Sequence, residues 1–419
     1  MSESLLEIRE LAKVIQAELI GGGKLHDYEV ASLTQPGENY GSILIAVKAK
    51  LELPNSVGVF HEKEIVAKVP PRDPKYWQFV QPERTCLTEN AIYENLVPAL
   101  INLQEEAGLA ISEFFDGFAH YYGSRTSLGP NLVDHDAVLL LENLRASNYV
   151  TGDRLRPLDL AHTQLALKYL AEFHALPLAL RLKRPQLFDE QIRPFFQKFD
   201  WHAAAPDLKA TMKAETLEDI RRATGNNVEL IERVRHLSDE FFEFLASPPD
   251  RPNGPFASII HCDYWINNLM FKYDSSGTPL QMKIIDFQTA QYDSVIHDII
   301  AFLFSSVNTS ILEANYENML QMYYNHFISS LHRVGIDTTD SYSYQAFLAE
   351  IKRVAYIQVP HAIFMTRFIL AGSPDDEEHE KHIQELDNVL KTSSGGASER
   401  IYRKLNDILR LAQKFDILY

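Results

Sequence analysis

Leu5, Ile8, Leu11, Ile15 and Leu19 recur at spacings of three and four, the period of a helix with one apolar stripe. Residues 3–20 are therefore predicted to be an amphipathic helix. Gly21-Gly22-Gly23 ends it; the triplet follows a helix rather than a strand, the setting of a helix stop and not of a phosphate loop. Strand-like runs come next, at Tyr28–Gln35, Ser42–Leu51 and within Val57–Val69. Pro36-Gly37-Glu38-Asn39-Tyr40-Gly41-Ser42 forms a turn between the first two. Residues 83–108 return to helix, and 112–122 and 136–141 read as further strands. Beyond Leu144 the pattern is mainly helical. Leu158–Leu176 is a strong helix, and 185–247 supplies more, closing on the Pro-rich stretch Ser247–Pro255. Two short strands around 269–286 interrupt the helices, which then run to the C-terminus. No internal repeat is present. A small β-rich lobe thus precedes a large α-rich one, and the crevice between them is the expected ligand site.

Composition narrows the function classes. A chain of 419 residues suggests two or three structural units, and 46% hydrophobic with 23% charged residues is the balance of a soluble globular protein. Lys+Arg 40 against Asp+Glu 57 leaves a net charge of −17, which disfavours nucleic acid and anionic membranes as partners. Two cysteines, Cys86 and Cys262, stand in no metal-ligand spacing and fit a reducing compartment. Glu3, Glu7, Glu10 and Glu18 are scattered through the N-terminal segment, unlike a signal peptide. The longest apolar run, Val295–Val307, is broken by His297 and Asp298, so no membrane insertion is expected. The expectation is a soluble, cytoplasmic protein.

Chemistry concentrates in one stretch. His261-Cys262-Asp263-Tyr264-Trp265-Ile266-Asn267-Asn268 is followed by an apolar run, the turn Asp274-Ser275-Ser276-Gly277, and Met282-Lys283-Ile284-Ile285-Asp286-Phe287-Gln288. A hairpin of this length can return Asp286 to the neighbourhood of Asp263 and Asn268. Phosphoryl transfer needs such a set: one carboxylate to orient the attacking hydroxyl, with an amide and a second carboxylate to hold Mg²⁺ against a triphosphate. The spacing is that of the kinase catalytic loop, H-x-D-x-x-x-x-N, with D-F-x downstream. Otherwise Asp263 would cap a helix and Asp286 merely end a strand. His261 reads as a buried brace of the loop, and Asp298 as a structural support for it.

These motifs, with His297-Asp298-Ile299-Ile300 downstream, resemble the ecdysteroid kinase-like (CHK kinase-like) family, within the choline kinase and aminoglycoside phosphotransferase group. The resemblance extends to Gly37–Ser42, Ala67-Lys68-Val69-Pro70, Glu89–Tyr93, Leu141-Glu142-Asn143-Leu144 and Phe173-His174-Ala175, in the family's order. It implies an α+β, two-lobed protein-kinase-like fold. Residues 1–144 would form the nucleotide-binding N-lobe, and 145–419 the catalytic and acceptor-binding C-lobe, with a helical insert around 185–247. The usual glycine of His-Gly-Asp is Cys262 here, so the loop must tolerate a side chain.

By the same resemblance Asp263 is the catalytic base, Asn268 and Asp286 are the metal ligands, and ATP and Mg²⁺ are the cofactors. Lys68, set among apolar residues of a strand, would meet the phosphates, with Glu89 on the following helix as its partner and Glu94 as the alternative. Backbone groups of Glu142 to Leu144 would hold adenine. Asn39 and Ser42 would either cap the phosphates or shape a hairpin turn. No A-P-E element follows Asp286, and helix-like sequence resumes near Ser294, so a peptide platform has no room and the acceptor is a small-molecule hydroxyl. Aromatic residues in 185–247 (Phe195 and Phe199 among them) and in 354–371 (Phe364 among them) are expected to contribute a lipophilic wall suited to an ecdysteroid-like alcohol. A choline- or aminoglycoside-type cationic acceptor is the rival reading, and a catalytically silent pseudokinase the other.

Overall fold

The computed structural model describes residues 7–15, 22–33, 42–72, 77, 80–198, 208–246, 254–370 and 399–418. The N-terminal half is built on five antiparallel strands: β1 (Lys24–Ser32), β2 (Ile43–Glu52), β3 (Phe60–Val69), β4 (Tyr121–Arg125) and β5 (Val138–Glu142), in the order β1-β2-β3-β5-β4. Alternation along β3 decides what each face does. Ile65, Ala67 and Val69 are buried with Ile45, Val47, Ala49 and Leu51 of β2 and with Ile8, Leu11, Val14 and Ile15 of the N-terminal segment. Side chains one residue out of phase point to the opposite face, so Lys68 is delivered to the other side of the sheet. Of the helix expected over 3–20, α1 (Leu11–Val14) lies in the described part.

The opposite face meets a long helical segment. α2 (Pro82–Ala91) starts with proline at its first turn, and α3 (Val97–Glu106) continues it after a π-turn over Ile92–Leu96. Pro98 has no N–H to offer the carbonyl four residues back, and the widened turn just before it absorbs the mismatch. The strand expected over 112–122 begins only at Tyr121. Ile111–Glu113 instead forms a tight turn in which the Glu113 carboxylate accepts from Ala110 N at 2.9 Å, and Phe115 and Phe118 turn into the core.

After β5 the chain becomes helical. α4 (Leu160–Lys183) is capped by Asp159, whose side chain accepts from His162 N, and it packs along α8 (Thr309–Arg333). Two further helices, α5 (Leu208–Ala223) and α6 (Val228–Ala246), lie against α10 (Gln358–Leu370). There Arg367, 8% exposed, reaches Glu215 at 2.6 Å and Asp219 at 2.5 Å. α7 (Ile296–Ser306), α9 (Tyr344–Val354) and α11 (Glu399–Lys414) complete the described helices. Short strands are set among them. β6 (Val150–Thr151), β8 (Leu269–Tyr273) and β9 (Pro279–Ile284) form one sheet, while β7 (Ala257–Ile260) pairs with β10 (Gln291–Ser294). Among the described residues no helix is long and apolar enough to cross a membrane. This is a two-lobed, protein-kinase-like α+β fold.

Candidate active site

The loop after β7 and the hairpin β8–β9 assemble the centre. The register pairs Leu269 with Ile284, and Ile285 N donates to Asn268 O at 3.0 Å, so Asp286 emerges beside Asn268. The hairpin closes because the Asp274 carboxylate accepts from Ser276 N (2.8 Å) and Thr278 N (3.0 Å) across its turn.

Asp298, in the first turn of α7 and 1% exposed, holds the loop in place. Its carboxylate accepts from His261 N at 2.6 Å and Cys262 N at 2.9 Å, with His174 Nε2 at 3.1 Å. Burial works against that charge, but these hydrogen bonds prevail and its pKa lies below the usual value. His261 is a brace: Nε2 donates to Ile285 O at 3.0 Å, and Nδ1 accepts from Asp263 N at 3.3 Å. Burial lowers its pKa, so it stays neutral. Cys262 takes φ 63°, the left-handed region where a glycine would be at ease. The loop carries a side chain there at the expense of strain.

Asp263 follows. Asn268 Nδ2 donates to its carbonyl (2.8 Å) and to Oδ2 (2.9 Å), fixing the carboxylate. Burial, and then the neighbouring charge of Asp286, push its carboxyl up to about 7. A base with that affinity is matched to accepting a hydroxyl proton near neutrality.

Lys68 stands between two acids. Its Nζ is 2.5 Å from Glu89 Oε2 and 2.7 Å from Asp286 Oδ1. Burial alone would lower its pKa, but the two carboxylates outweigh it and hold it above the ordinary lysine value. Burial raises the Glu89 pKa, and the ammonium beside it works against that rise. Glu89 Oε1 also accepts from Phe287 N at 3.3 Å. One lysine and one glutamate thereby tie sheet, helix and the Asp286 loop together. Glu94, the alternative partner, is engaged elsewhere, accepting from Tyr121 and Ser124 hydroxyls.

The other expected residues fall as follows. Ser42 is buried and lines, with Lys68, Glu89 and Gln288, a cleft of about 390 Å³. Asn39 lies outside the described residues. At the end of β5, Glu142 N donates to His120 O (2.8 Å) and Asn143 N to Glu64 O (2.9 Å). Leu144 N has no hydrogen-bond partner among the described residues, the condition a purine-binding donor requires.

For a divalent cation the relevant atoms are hard oxygens. Asp286 offers the oxygen not used by Lys68, and Asn268 offers Oδ1 while its Nδ2 is occupied by Asp263. No three His, Cys, Asp or Glu side chains gather into a cation cage among the described residues. Mg²⁺ needs none, since it takes most of its shell from water and phosphate oxygens. The donor set fits.

A second cleft, about 260 Å³, opens at Asp263 and is lined also by Cys262, Tyr264, Trp265, Ala301, Ser305, His361, Ala362 and Met365. It takes Met365 from the expected segment 354–371 but none of the phenylalanines named for the wall. Phe195 is an exposed residue whose carbonyl accepts from Thr88, Phe364 is not part of the lining, and Phe199 lies outside the described residues. Two contributors went unread in the sequence. Arg84 on α2 donates to Gln288 O (3.3 Å) and to Gln197 O (3.1 Å), clamping the helix onto the segment after Asp286; burial lowers its pKa to about 10. His361 comes from α10, far along the chain. Neither carries a local signal.

α7 starts ten residues after Asp286, too soon for a peptide-binding segment, and Lys68 is held between two carboxylates beside Asp263, an arrangement of the kind phosphoryl transfer requires. Fold and site together define a small-molecule phosphotransferase acting on a hydroxyl. The chain belongs to the ecdysteroid kinase-like family, which it matches over residues 36–336. No curated protein sequence matches it. Among solved structures it is similar to an ethanolamine kinase of Plasmodium vivax (13% identity, 92% of this chain and 82% of that one, TM-score 0.39). It is also similar to an amicoumacin kinase (12%, 93% and 90%, TM-score 0.41) and to a microcompartment-associated aminopropanol kinase (12%, 94% and 94%, TM-score 0.41).

Proposed function

We propose that the protein is an ATP- and Mg²⁺-dependent O-kinase acting on a hydroxyl of a lipophilic, ecdysteroid-like alcohol. Residues 1–144 would bind the nucleotide, and 145–419, with the insert around 185–247, would carry catalysis and the acceptor. Asp263 orients the acceptor hydroxyl and takes its proton as the oxygen–phosphorus bond forms. Lys68, positioned by Glu89, pairs with phosphate oxygens, and Leu144 N with Glu142 O would hold adenine. Asn268 and Asp286 would hold Mg²⁺, which when bound offsets the negative charge of the phosphates. The working compartment in this reading is the cytoplasm, where Cys86 and Cys262 remain thiols.

The observation that carries the acceptor class is the lining of the cleft beside Asp263. Ala301, Ala362, Met365 and Trp265 dominate it, and among the described residues Asp263 is its only carboxylate. A cationic acceptor would be held by clustered acids or an aromatic cage. Lys68, Asp263, Asn268 and Asp286 are all present, which favours an active enzyme over a silent binding protein. The test is a panel of hydroxylated steroids and of choline, ethanolamine and aminoglycosides, incubated with MgATP and read by mass for gain of one phosphate. Phosphorylated steroid is the expected result. Turnover of the cationic alcohols alone overturns the acceptor class, and a MgATP thermal shift without any turnover points to the silent form.

A further inference from the structure

Two helix faces meet beside Asp263. On α7, His297, Ala301 and Ser305 succeed one another at four-residue steps; on α10, Gln358, His361, Ala362 and Met365 stand at i, i+3, i+4 and i+7. Ala301, Ser305, His361, Ala362 and Met365 line the cleft, while His297 and Gln358 are buried, 5% and 4% exposed.

The polar groups among them form a directed chain. It starts at Asp293, where burial would raise the carboxyl pKa but His297 and Lys198 hold it low. A carboxylate only accepts, so His297 Nε2, 3.6 Å from Asp293 Oδ1, faces it as N–H. In the neutral ring His297 Nδ1 is a lone pair, and Gln358 Nε2 then donates to it at 2.7 Å. The amide orientation follows: Gln358 Oε1 accepts from His361 Nδ1 at 2.8 Å. Nε2 of His361 is left as the acceptor end of the chain, with no hydrogen-bond partner among the described residues. Phe241 stacks on the ring, centroids 5.6 Å apart and planes at 18°, and burial lowers its pKa to about 4. The ring is neutral near pH 7.

We propose that His361 is a specificity-determining residue of the acceptor site, its Nε2 accepting a hydrogen bond from a second hydroxyl of the substrate. The reacting hydroxyl cannot fill this role. It has one proton, and Asp263 receives it. The proposal rests on the lipophilic-alcohol kinase reading and adds to it that the acceptor carries at least two hydroxyls, one phosphorylated and one read by His361.

The test uses ecdysone and its 2-deoxy, 14-deoxy and 25-deoxy analogues as acceptors for the wild type, His361→Leu and His361→Gln. The wild type should prefer the parent over one deoxy analogue by about tenfold or more in kcat/KM. His361→Leu should raise the ecdysone KM about tenfold, leave the ATP KM unchanged and erase that preference. His361→Gln, whose amide oxygen can accept in its place, should restore part of it. A histidine that only supported the fold would lower activity on all four and keep the preference. Should His361→Leu not fold, Gln358→Met keeps the ring but releases its tautomer, and the preference should shrink several-fold. Folded variants with the wild-type KM and preference overturn the role of His361 alone. Failure of the wild type to phosphorylate any of the four overturns the lipophilic reading, and this proposal with it.

Discussion

Replacing Lys68 by methionine keeps a chain of similar length and removes the charge, so the consequence is mainly electrostatic. Glu89, its side chain 5% exposed, and Asp286, 23% exposed, would then face each other with no cation between them. Leaving a buried charge unpaired costs about 3–5 kcal/mol. Glu89 can avoid part of this by binding a proton. At pH 7 that costs at most about 1.36 × (7 − 4.3), or about 3.7 kcal/mol, taking 4.3 as the ordinary glutamate value. The penalty is therefore capped near 3–4 kcal/mol at pH 7 and near 1 kcal/mol at pH 5. In the variant, burial raises the folded-state pKa of Glu89 above its unfolded value. Such a group does no harm below the unfolded pKa, and stability is lost as pH rises from there through the folded pKa. Urea unfolding of wild type and Lys68→Met at both pH values measures the gap. Adding Glu89→Gln to Lys68→Met should recover most of it at pH 7, so the double cycle is non-additive. A gap under about 1 kcal/mol at pH 7, or one of equal size at both pH values, refutes a shared desolvated site for Lys68 and Glu89.

Asp263→Asn should lower kcat by orders of magnitude while MgATP affinity stays near wild type, because the residue acts on the acceptor hydroxyl; an unchanged kcat removes it as the base. Asp286→Ala should weaken MgATP binding and turnover together, and calorimetric titration with and without Mg²⁺ checks this, equal affinities counting against it. Asp298→Ala strands two buried backbone N–H groups and His174, so unfolding free energy should fall by about 3 kcal/mol or more; a loss below about 1 kcal/mol would show that the loop stands without it. Cys262→Gly relieves a left-handed residue and should stabilise by about 0.5–1 kcal/mol, whereas Cys262→Ala should not, and identical melting of the two would contradict the strain.

Much of the catalytic centre was legible because it is local. Asp263, Asn268 and Asp286 share one loop and one hairpin, and a hairpin's register follows from its turn and its alternating apolar residues. Lys68 was legible as a charge out of phase with Ile65, Ala67 and Val69, since strand alternation assigns faces without reference to the rest of the molecule. Its pairing with Glu89 rather than Glu94 was expected from the family resemblance and not from periodicity: both lie in the same helical segment, and the π-turn at Ile92–Leu96 and the position of Tyr121 turn Glu94 away. The strand expected over 112–122 failed for a related reason, since Phe115, partly buried, and Phe118, buried, pack against α4 and not into a strand pair.

The acceptor side belongs to the tertiary structure. Periodicity establishes that α7 and α10 each have an apolar face, but the same period suits any neighbour of similar shape. Only their packing puts Ala301, His361 and Met365 opposite Asp263 and leaves Phe195 in solvent. The hydrogen-bond direction from Asp293 to His361 is decided in the same way, because a side chain acts as donor or acceptor according to what it faces. From its sequence alone the chain determined its two lobes, the hairpin and the acids proposed to serve phosphoryl transfer. Which alcohol those acids can reach was left to helix faces that meet only when the chain has folded.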